Sequence, residues 1–284
     1  MIDFQARPAG ENHESGPRFR AKARAVVSAA AGGMTRLFVD QDLRAGGTVQ
    51  VDGDRAHYLR NVLRLAAGAA VDLFNGRDGE WRARIADLGK RGATLTVVEQ
   101  RRAQTPGPDL WLVFAPIKRT RIDGVVEKAT ELGVSALQPV VTQHTAVDRV
   151  NVDRLRSIAV EAAEQCERLS VPPVLAPVSQ EKLLAEWPAQ RRLLLCAEAG
   201  DARPIAEALQ SQVYDIAAPW AVMIGPEGGF ARSELDALGK LPFVMPVGLG
   251  PRVLRADTAA LAALACWQAI LGDGRERPPH RASD

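Results

Sequence analysis

Cysteine is scarce in this 284-residue chain, with only Cys166, Cys196 and Cys266, far apart and odd in number. That excludes a disulfide framework and points to free thiols in a reducing compartment. Histidine is almost as thin, scattered at positions 13, 57, 144 and 280, and no Cys-x-x-Cys pair exists to seed a metal site. No apolar run approaches the roughly 18 residues that span a bilayer, so the chain reads as soluble and cytoplasmic, with no membrane partner. Charge of one sign is also lacking. A net charge of +2 excludes a protein that grips nucleic acid by bulk charge, although 36 lysines and arginines leave room for local basic surface. Walker A, GxSxG and HExxH sequences do not occur. Gly248-Leu249-Gly250 is followed by Pro251, Arg252 and Val253, so the third glycine of a dinucleotide fingerprint is missing too. What remains is a metal-free enzyme that works through backbone contacts and arginines.

Residues 15–39 lack acids altogether. Between Glu14 and Asp40 there is no carboxylate, while Arg18, Arg20, Lys22, Arg24 and Arg36 fall in that window among Ala and Gly. An organelle-targeting peptide has this composition. A disordered extension, or an upstream start with Met34 as the true one, is the preferred reading, because too little apolar area is available to offset the entropy of ordering.

What is there falls into two patterns. From Arg36 to about Arg102 the chain alternates short β-rich runs with glycine turns. The runs are 36–39, 48–51, 71–74, 81–85 and 94–98, with one helical stripe over His57 to Leu65. A small β-barrel-like domain over 34–104 follows, closed off by Thr105-Pro106-Gly107-Pro108 as a linker. Beyond it, buried strands predicted at 111–115, 136–141, 193–195, 221–224 and 243–245 alternate with helices. The helices fall at about 122–132, 155–166, 204–209, 233–238 and 257–271, with Gly133 stopping the first and Asp257 as the N-cap of the last. This is an α/β domain with a mainly parallel sheet over 108–272, and 273–284 is a polar, frayed tail. A chain of this length favours two such cores over one.

Two segments carry candidate chemistry. Ile224-Gly225-Pro226-Glu227-Gly228-Gly229-Phe230 follows a strand directly, a rigid turn whose backbone can press on a flat ligand. Gly248-Leu249-Gly250-Pro251-Arg252-Val253-Leu254-Arg255 also follows a strand and sets two arginines before a helix start, which suits an anionic or carbonyl-rich substrate. Each segment alone is also compatible with a plain tight turn bearing a surface arginine. Cys166 reads as helix packing, since no histidine lies near it in sequence to activate it.

Together the two segments resemble the ribosomal RNA small subunit methyltransferase E family. The resemblance extends to Lys118 with Glu127-Lys128-Ala129-Thr130-Glu131-Leu132-Gly133-Val134 and to Glu164-Gln165-Cys166-Glu167-Arg168 with Val171-Pro172. In the first domain it includes His57, Val62-Leu63-Arg64 and Gly68. It runs from about Thr35 to Gly272, departs at Asp257 where many members carry Glu, and leaves residues 1–33 without a counterpart. It implies a SPOUT-type methyltransferase domain with a C-terminal trefoil knot after a PUA-like RNA-binding domain, and a homodimer with cofactor sites at the subunit interface. The implied activity is methylation of a uracil N3 in 16S ribosomal RNA, free or in the assembled small subunit, with S-adenosylmethionine. The implied cofactor loops are Cys196-Ala197-Glu198, Gly225 to Gly229 with Ile224, and Val247 to Leu254. On this reading Arg252 and Arg255 stabilise charge on the uracil carbonyls, and Glu227 takes the proton or binds the cofactor's amino group; a turn carboxylate is its alternative. Arg168 reaches the site from the partner subunit or is a solvated helix-end arginine. Lys118, Arg119 and Arg121, with Arg64 in the first domain, hold RNA phosphate or simply face solvent. A ribose- or tRNA-directed relative, a non-catalytic RNA-binding module and a generic nucleotide-binding enzyme are the competing functions.

Overall fold

The computed structural model describes residues 34–147, 149–197, 202–213 and 218–277, with the side chains of residues 119 and 120 excepted. The expectations for residues 1–33, for Glu198 and for the tail beyond 277 fall outside the described residues.

Residues 36–102 build a five-stranded sheet in the order β1-β3-β4-β5-β2. Its strands are β1 (Arg36–Phe38), β2 (Thr48–Val51), β3 (Ala70–Phe74), β4 (Glu80–Leu88) and β5 (Ala93–Arg102). Period-two burial drives it: Val49 and Val51 point inward while Thr48 and Gln50 face solvent, and Ala93, Leu95 and Val97 repeat the pattern on β5. Register shifts between β4 and β5 bend these two long strands around the core of Leu37, Val71, Leu73 and Ile85. β1 pairs with β3 in parallel and the other pairs are antiparallel. The helical stripe begins earlier than its apolar spacing predicts. Asp52 accepts the Arg55 N–H at 2.9 Å and caps α1 (Gly53–His57), and the chain then widens into a π-helical turn over Tyr58–Val62. Arg64, at φ +56°, turns the chain out of it.

Residues 110–248 form a seven-stranded, all-parallel sheet in the order β10-β12-β9-β11-β6-β7-β8. In chain order the strands are β6 (Leu110–Phe114), β7 (Ala136–Val141), β8 (Val178–Ser179), β9 (Arg192–Cys196), β10 (Arg203–Pro204), β11 (Trp220–Ile224) and β12 (Val244–Gly248). Helices cover both faces, so the central strands are continuous apolar runs. α2 (Arg119–Glu131), α3 (Val152–Gln165), α5 (Ile205–Gln210) and α7 (Ala256–Ile270) pack on Leu112, Phe114, Leu194 and Val222. α4 (Gln180–Ala185) and α6 (Arg232–Leu238) pack on Val113, Leu195 and Met223, the alternate positions of the same strands. Each such side chain, fully buried, contributes about 1.5–3 kcal/mol. α2 ends at Leu132, and Gly133 takes up φ +82° beyond it.

Two expectations need correction. The N-cap of α7 is Arg255, at φ −68° and ψ 154°, and Asp257 lies inside the first turn, where its carboxylate faces the positive end of the helix. The tail is ordered further than its polarity predicts. Residues 273–275 form a 3₁₀ turn whose Asp273 N–H donates to buried Gln268, and the Gln268 amide in turn donates to Leu132 O at 2.7 Å.

The two sheets meet through side chains as well as through the linker. Arg36 of β1 pairs with Glu80 and donates to Ala163 O at 3.0 Å, Glu164 O at 3.1 Å and Arg168 O at 2.8 Å. Arg102 clamps the other side of Glu80 at 2.7 and 2.9 Å and reaches Glu167 O at 2.9 Å. Phe38 N–H donates to the Glu164 carboxylate at 2.9 Å. Burial opposes the Glu80 charge, but the two guanidiniums outweigh it and hold this carboxyl below the usual glutamate range. Burial dominates at Glu164 and pushes it up.

Candidate cofactor and substrate site

Parallel strands bring their C-terminal ends to one edge, and register sets which ends are neighbours. Ile224 of β11 stands opposite Cys196 of β9, which stands opposite Val247 of β12. The three loops that leave these strands therefore converge on a cleft of about 670 Å³, within the range of small-molecule sites in the crevice at sheet ends.

Most of the residues expected to hold the cofactor line this cleft. Cys196 and Ala197 come from β9, Ile224 to Gly229 from β11, and Gly248, Leu249, Gly250, Arg252 and Leu254 from the loop after β12. Glu227 and Arg255 are also in its wall. Val247 is not. It is fully buried in β12 and supports the loop from the core. Phe230, quoted in the first glycine segment but given no role there, and Leu235 and Ala259, which sequence reasoning did not assign to the site, close the cleft with apolar surface. The signal for Phe230 lay in Gly225: a Cβ there would sit 2.9 Å from the Phe230 ring, so the ring packs directly on bare backbone.

The glycine turn is fixed by its own geometry and by two neighbouring loops. Gly229 adopts φ +68°, and its N–H donates to Pro226 O at 2.9 Å. Glu234 of α6 accepts the N–H of Ala231 at 2.8 Å and that of Gln143, in the loop after β7, at 2.9 Å. His144 of the same loop sets Nδ1 3.2 Å from both Gly228 O and Gly229 O. Facing two acceptors, that nitrogen carries the proton. The Glu227 carboxylate is exposed and meets Lys118 N–H only at 3.5 Å.

The second loop turns at Gly250, φ +102°, and presents Arg252 and Arg255 to solvent. Among the described residues neither guanidinium has a hydrogen-bonding or ionic partner. Arg168 is not brought to this cleft. Its guanidinium donates to Thr130 O at 2.7 Å and Val134 O at 2.9 Å, which ties it to the end of α2 in its own chain. Within its own chain it is thus a half-buried, hydrogen-bonded arginine and not a solvated one. Lys118 caps the N-terminus of α2 next to the glycine turn, with Arg121 in that helix's first turn, whereas Arg64 is exposed on the first sheet's domain. Burial pushes the Cys166 thiol up at the end of α3, and burial, with Cys266 adding to it, pushes Cys196 up to about 12. Among the described residues no group of three or more His, Cys, Asp or Glu is placed to hold a metal, and no helix is long and apolar enough to cross a membrane.

Comparison with known proteins matches both halves of this architecture. An RNA methyltransferase domain model matches residues 104–268, and an RNA methyltransferase PUA domain model matches residues 51–98. The chain is 31% identical over 236 residues to the ribosomal RNA small subunit methyltransferase E of Rickettsia conorii, covering 81% of this chain and 93% of the relative. It is 34% identical over 240 residues to that of Synechocystis, covering 83% and 78%. Among solved structures, a ribosomal RNA small subunit methyltransferase E from Neisseria gonorrhoeae bound to S-adenosyl methionine superposes with a TM-score of 0.72 at 28% identity. The match covers 85% of this chain and 99% of that one. A methyltransferase from Legionella pneumophila in complex with the cofactor SAM gives 0.74 at 26%, covering 84% and 98%. The PUA-type sheet, the parallel sheet and the glycine-lined cleft at its edge therefore have one explanation: the chain belongs to the ribosomal RNA small subunit methyltransferase E family, RNA methyltransferases that use S-adenosylmethionine.

Proposed function

We propose that this chain methylates the N3 atom of a uracil in 16S ribosomal RNA of the small subunit, and that the cleft at the ends of β9, β11 and β12 is where it does so. The observation that carries the reading is the pair of unpartnered guanidiniums, Arg252 and Arg255, on the rim of a cleft walled by backbone and small side chains. The cleft suits S-adenosylmethionine: glycine turns let backbone approach a flat ring, and Phe230, Leu235 and Ala259 offer apolar contact. The holding residues are Cys196, Ala197 and Glu198, Ile224 to Gly229, and Val247 to Gly250 with Arg252 and Leu254.

S-adenosylmethionine supplies a methyl carbon already activated by its sulfonium. The protein's task is then to align the uracil and remove its proton. The N3–H is a weak acid, and Glu227, exposed and nearly free of partners, accepts that proton. The resulting charge spreads over the ring carbonyl oxygens, where Arg252 and Arg255 donate hydrogen bonds held by a rigid loop. Lys118, Arg119 and Arg121 hold RNA phosphate beside the cleft, and Arg64 does so on the PUA-like domain. The domains are 34–104 and 108–272, the second carrying a trefoil knot at its C-terminal end. The enzyme is a cytoplasmic homodimer, with the exposed Val253, 80% accessible between the two arginines, at the subunit interface.

Nucleoside mass spectrometry of small-subunit ribosomal RNA incubated with the protein and S-adenosylmethionine tests this. The expected product is 3-methyluridine, formed only with both present. Methyl found on a ribose oxygen or on another base overturns the reading.

A further inference from the structure

The glycine turn that faces the cleft contains two adjacent glycines, the least restrained backbone a chain can have. Gly228 and Gly229 can rotate their peptide planes at little steric cost, and each plane carries a carbonyl on one side and an N–H on the other. The turn is useful to a ligand only while those planes hold one orientation. The Pro226 O bond to Gly229 N–H fixes one plane from inside the turn. His144 fixes both from outside, because its Nδ1–H lies 3.2 Å from Gly228 O and 3.2 Å from Gly229 O. The contact is close in a second sense: a Cβ on Gly228 would lie 3.3 Å from the His144 Cβ, so residue 228 is glycine on the side facing His144 as well.

His144 itself is held. Its loop follows β7, and Thr145 Oγ1 accepts the Thr142 N–H at 2.9 Å while Gln143 N–H is anchored on Glu234 of α6. The histidine is thus the tip of a braced hairpin bend that reaches 84 residues along the chain to the turn.

We propose that His144 is a positioning residue for cofactor binding: it holds the Gly228 and Gly229 carbonyls and thereby keeps the turn in the one conformation that accepts S-adenosylmethionine. This rests on the reading of the cleft as the cofactor site. A turn that is disordered without its clamp must be ordered by the ligand, and the cost appears as lost affinity rather than lost rate.

The experiment pairs calorimetric titration of the full-length protein with S-adenosylmethionine and steady-state kinetics on ribosomal RNA. His144→Leu keeps bulk and removes the donor; it raises the S-adenosylmethionine Kd and KM about tenfold, equivalent to about 1.4 kcal/mol, with kcat at saturating cofactor within twofold of the original. His144→Asn sets an amide N–H near the Nδ1 position and returns the affinity to within about threefold. A His144→Leu protein that binds like the original, an Asn variant as weak as the Leu one, or a fall in kcat at unchanged Kd each overturns the proposal. If the unmodified protein does not bind S-adenosylmethionine, the cleft reading fails and this inference with it. If it binds and His144→Leu binds equally well, only the role of His144 fails. A measurement that needs no variant is the imidazole nitrogen NMR pattern of the unmodified protein at alkaline pH. The Nδ1–H tautomer is expected, and Nε2–H at His144 overturns the clamp.

Discussion

Arginine serves opposite ends in two regions of this molecule. At the seam between the sheets, Arg36, Arg102 and Arg168 spend their donors on carbonyl oxygens and on Glu80 within the chain. At the cleft, Arg252 and Arg255 are exposed and, among the described residues, without a partner. An arginine whose fork is filled holds structure together, and one whose fork is open on a rigid loop is available to something that arrives. Sequence motifs do not separate the two kinds, because Arg168 lies in as distinctive a segment as Arg255 does.

The sharpest way to break this contrast is at Arg255. Arg255→Ala should slow single-turnover methylation about a hundredfold or more, as loss of one preorganised donor does elsewhere, while leaving S-adenosylmethionine affinity within a few fold. Arg255→Lys should fail as well, since a point charge does not reproduce the fork. A folded Arg255→Ala protein working at near-normal rate would end the catalytic assignment.

The seam arginines should answer in stability. Arg36→Met removes a donor from three carbonyls and leaves Glu80 to Arg102 alone, and we expect a loss of about 2–3 kcal/mol, read as a drop of roughly 5–10 °C in Tm, with cofactor affinity unchanged. Arg168→Met should behave alike, through the carbonyls of Thr130 and Val134. Thermal unfolding beside single-turnover rates distinguishes the two kinds. If Arg168→Met keeps its Tm and loses its rate, that arginine belongs with the cleft.

A smaller effect lies in the pH dependence of the seam. The folded pKa of Glu80 is lowered by Arg102 and Arg36 against the effect of burial, so its stabilisation is complete above the ordinary glutamate range and is lost as pH falls through its depressed value. Glu164, raised by burial, works the other way: it stabilises while protonated and loses that contribution as pH rises through its elevated value. Glu80→Gln should therefore flatten the acid limb of a Tm–pH curve from the ordinary glutamate range downward. Glu164→Gln should flatten the side just above the ordinary glutamate range. An unchanged acid limb in Glu80→Gln would show that the pair is held too loosely to matter.

Much of the second sheet was legible because its strands are covered on both faces: Leu193 to Leu195 and Ala221 to Ile224 are apolar without interruption. Gly133 announced the end of α2 and does take the left-handed conformation. Shorter elements gave no periodic signal. β8 and β10 have two residues each, too few for a pattern, and α4 was not read from the sequence. The start of α1 depended on the Asp52 side chain, and the π-turn after it has no signature in composition. Strand order was not legible in period or propensity. The glycine turns of the cleft could be read because glycine reports backbone demands locally. His144 and Arg36 could not, since each acts on residues about 84 to 132 positions away and a lone side chain carries no trace of a distant carbonyl.

Cys196 adds a chemical constraint of its own. On the proposed reading the cleft stores an alkylating agent and must not itself be alkylated by it, and a thiolate is the side chain most prone to that fate. With its pKa pushed up to about 12 by burial, the sulfur at the end of β9 stays a protonated thiol near neutral pH. On that reading the wall is inert not because sulfur is absent but because its reactive form is withheld.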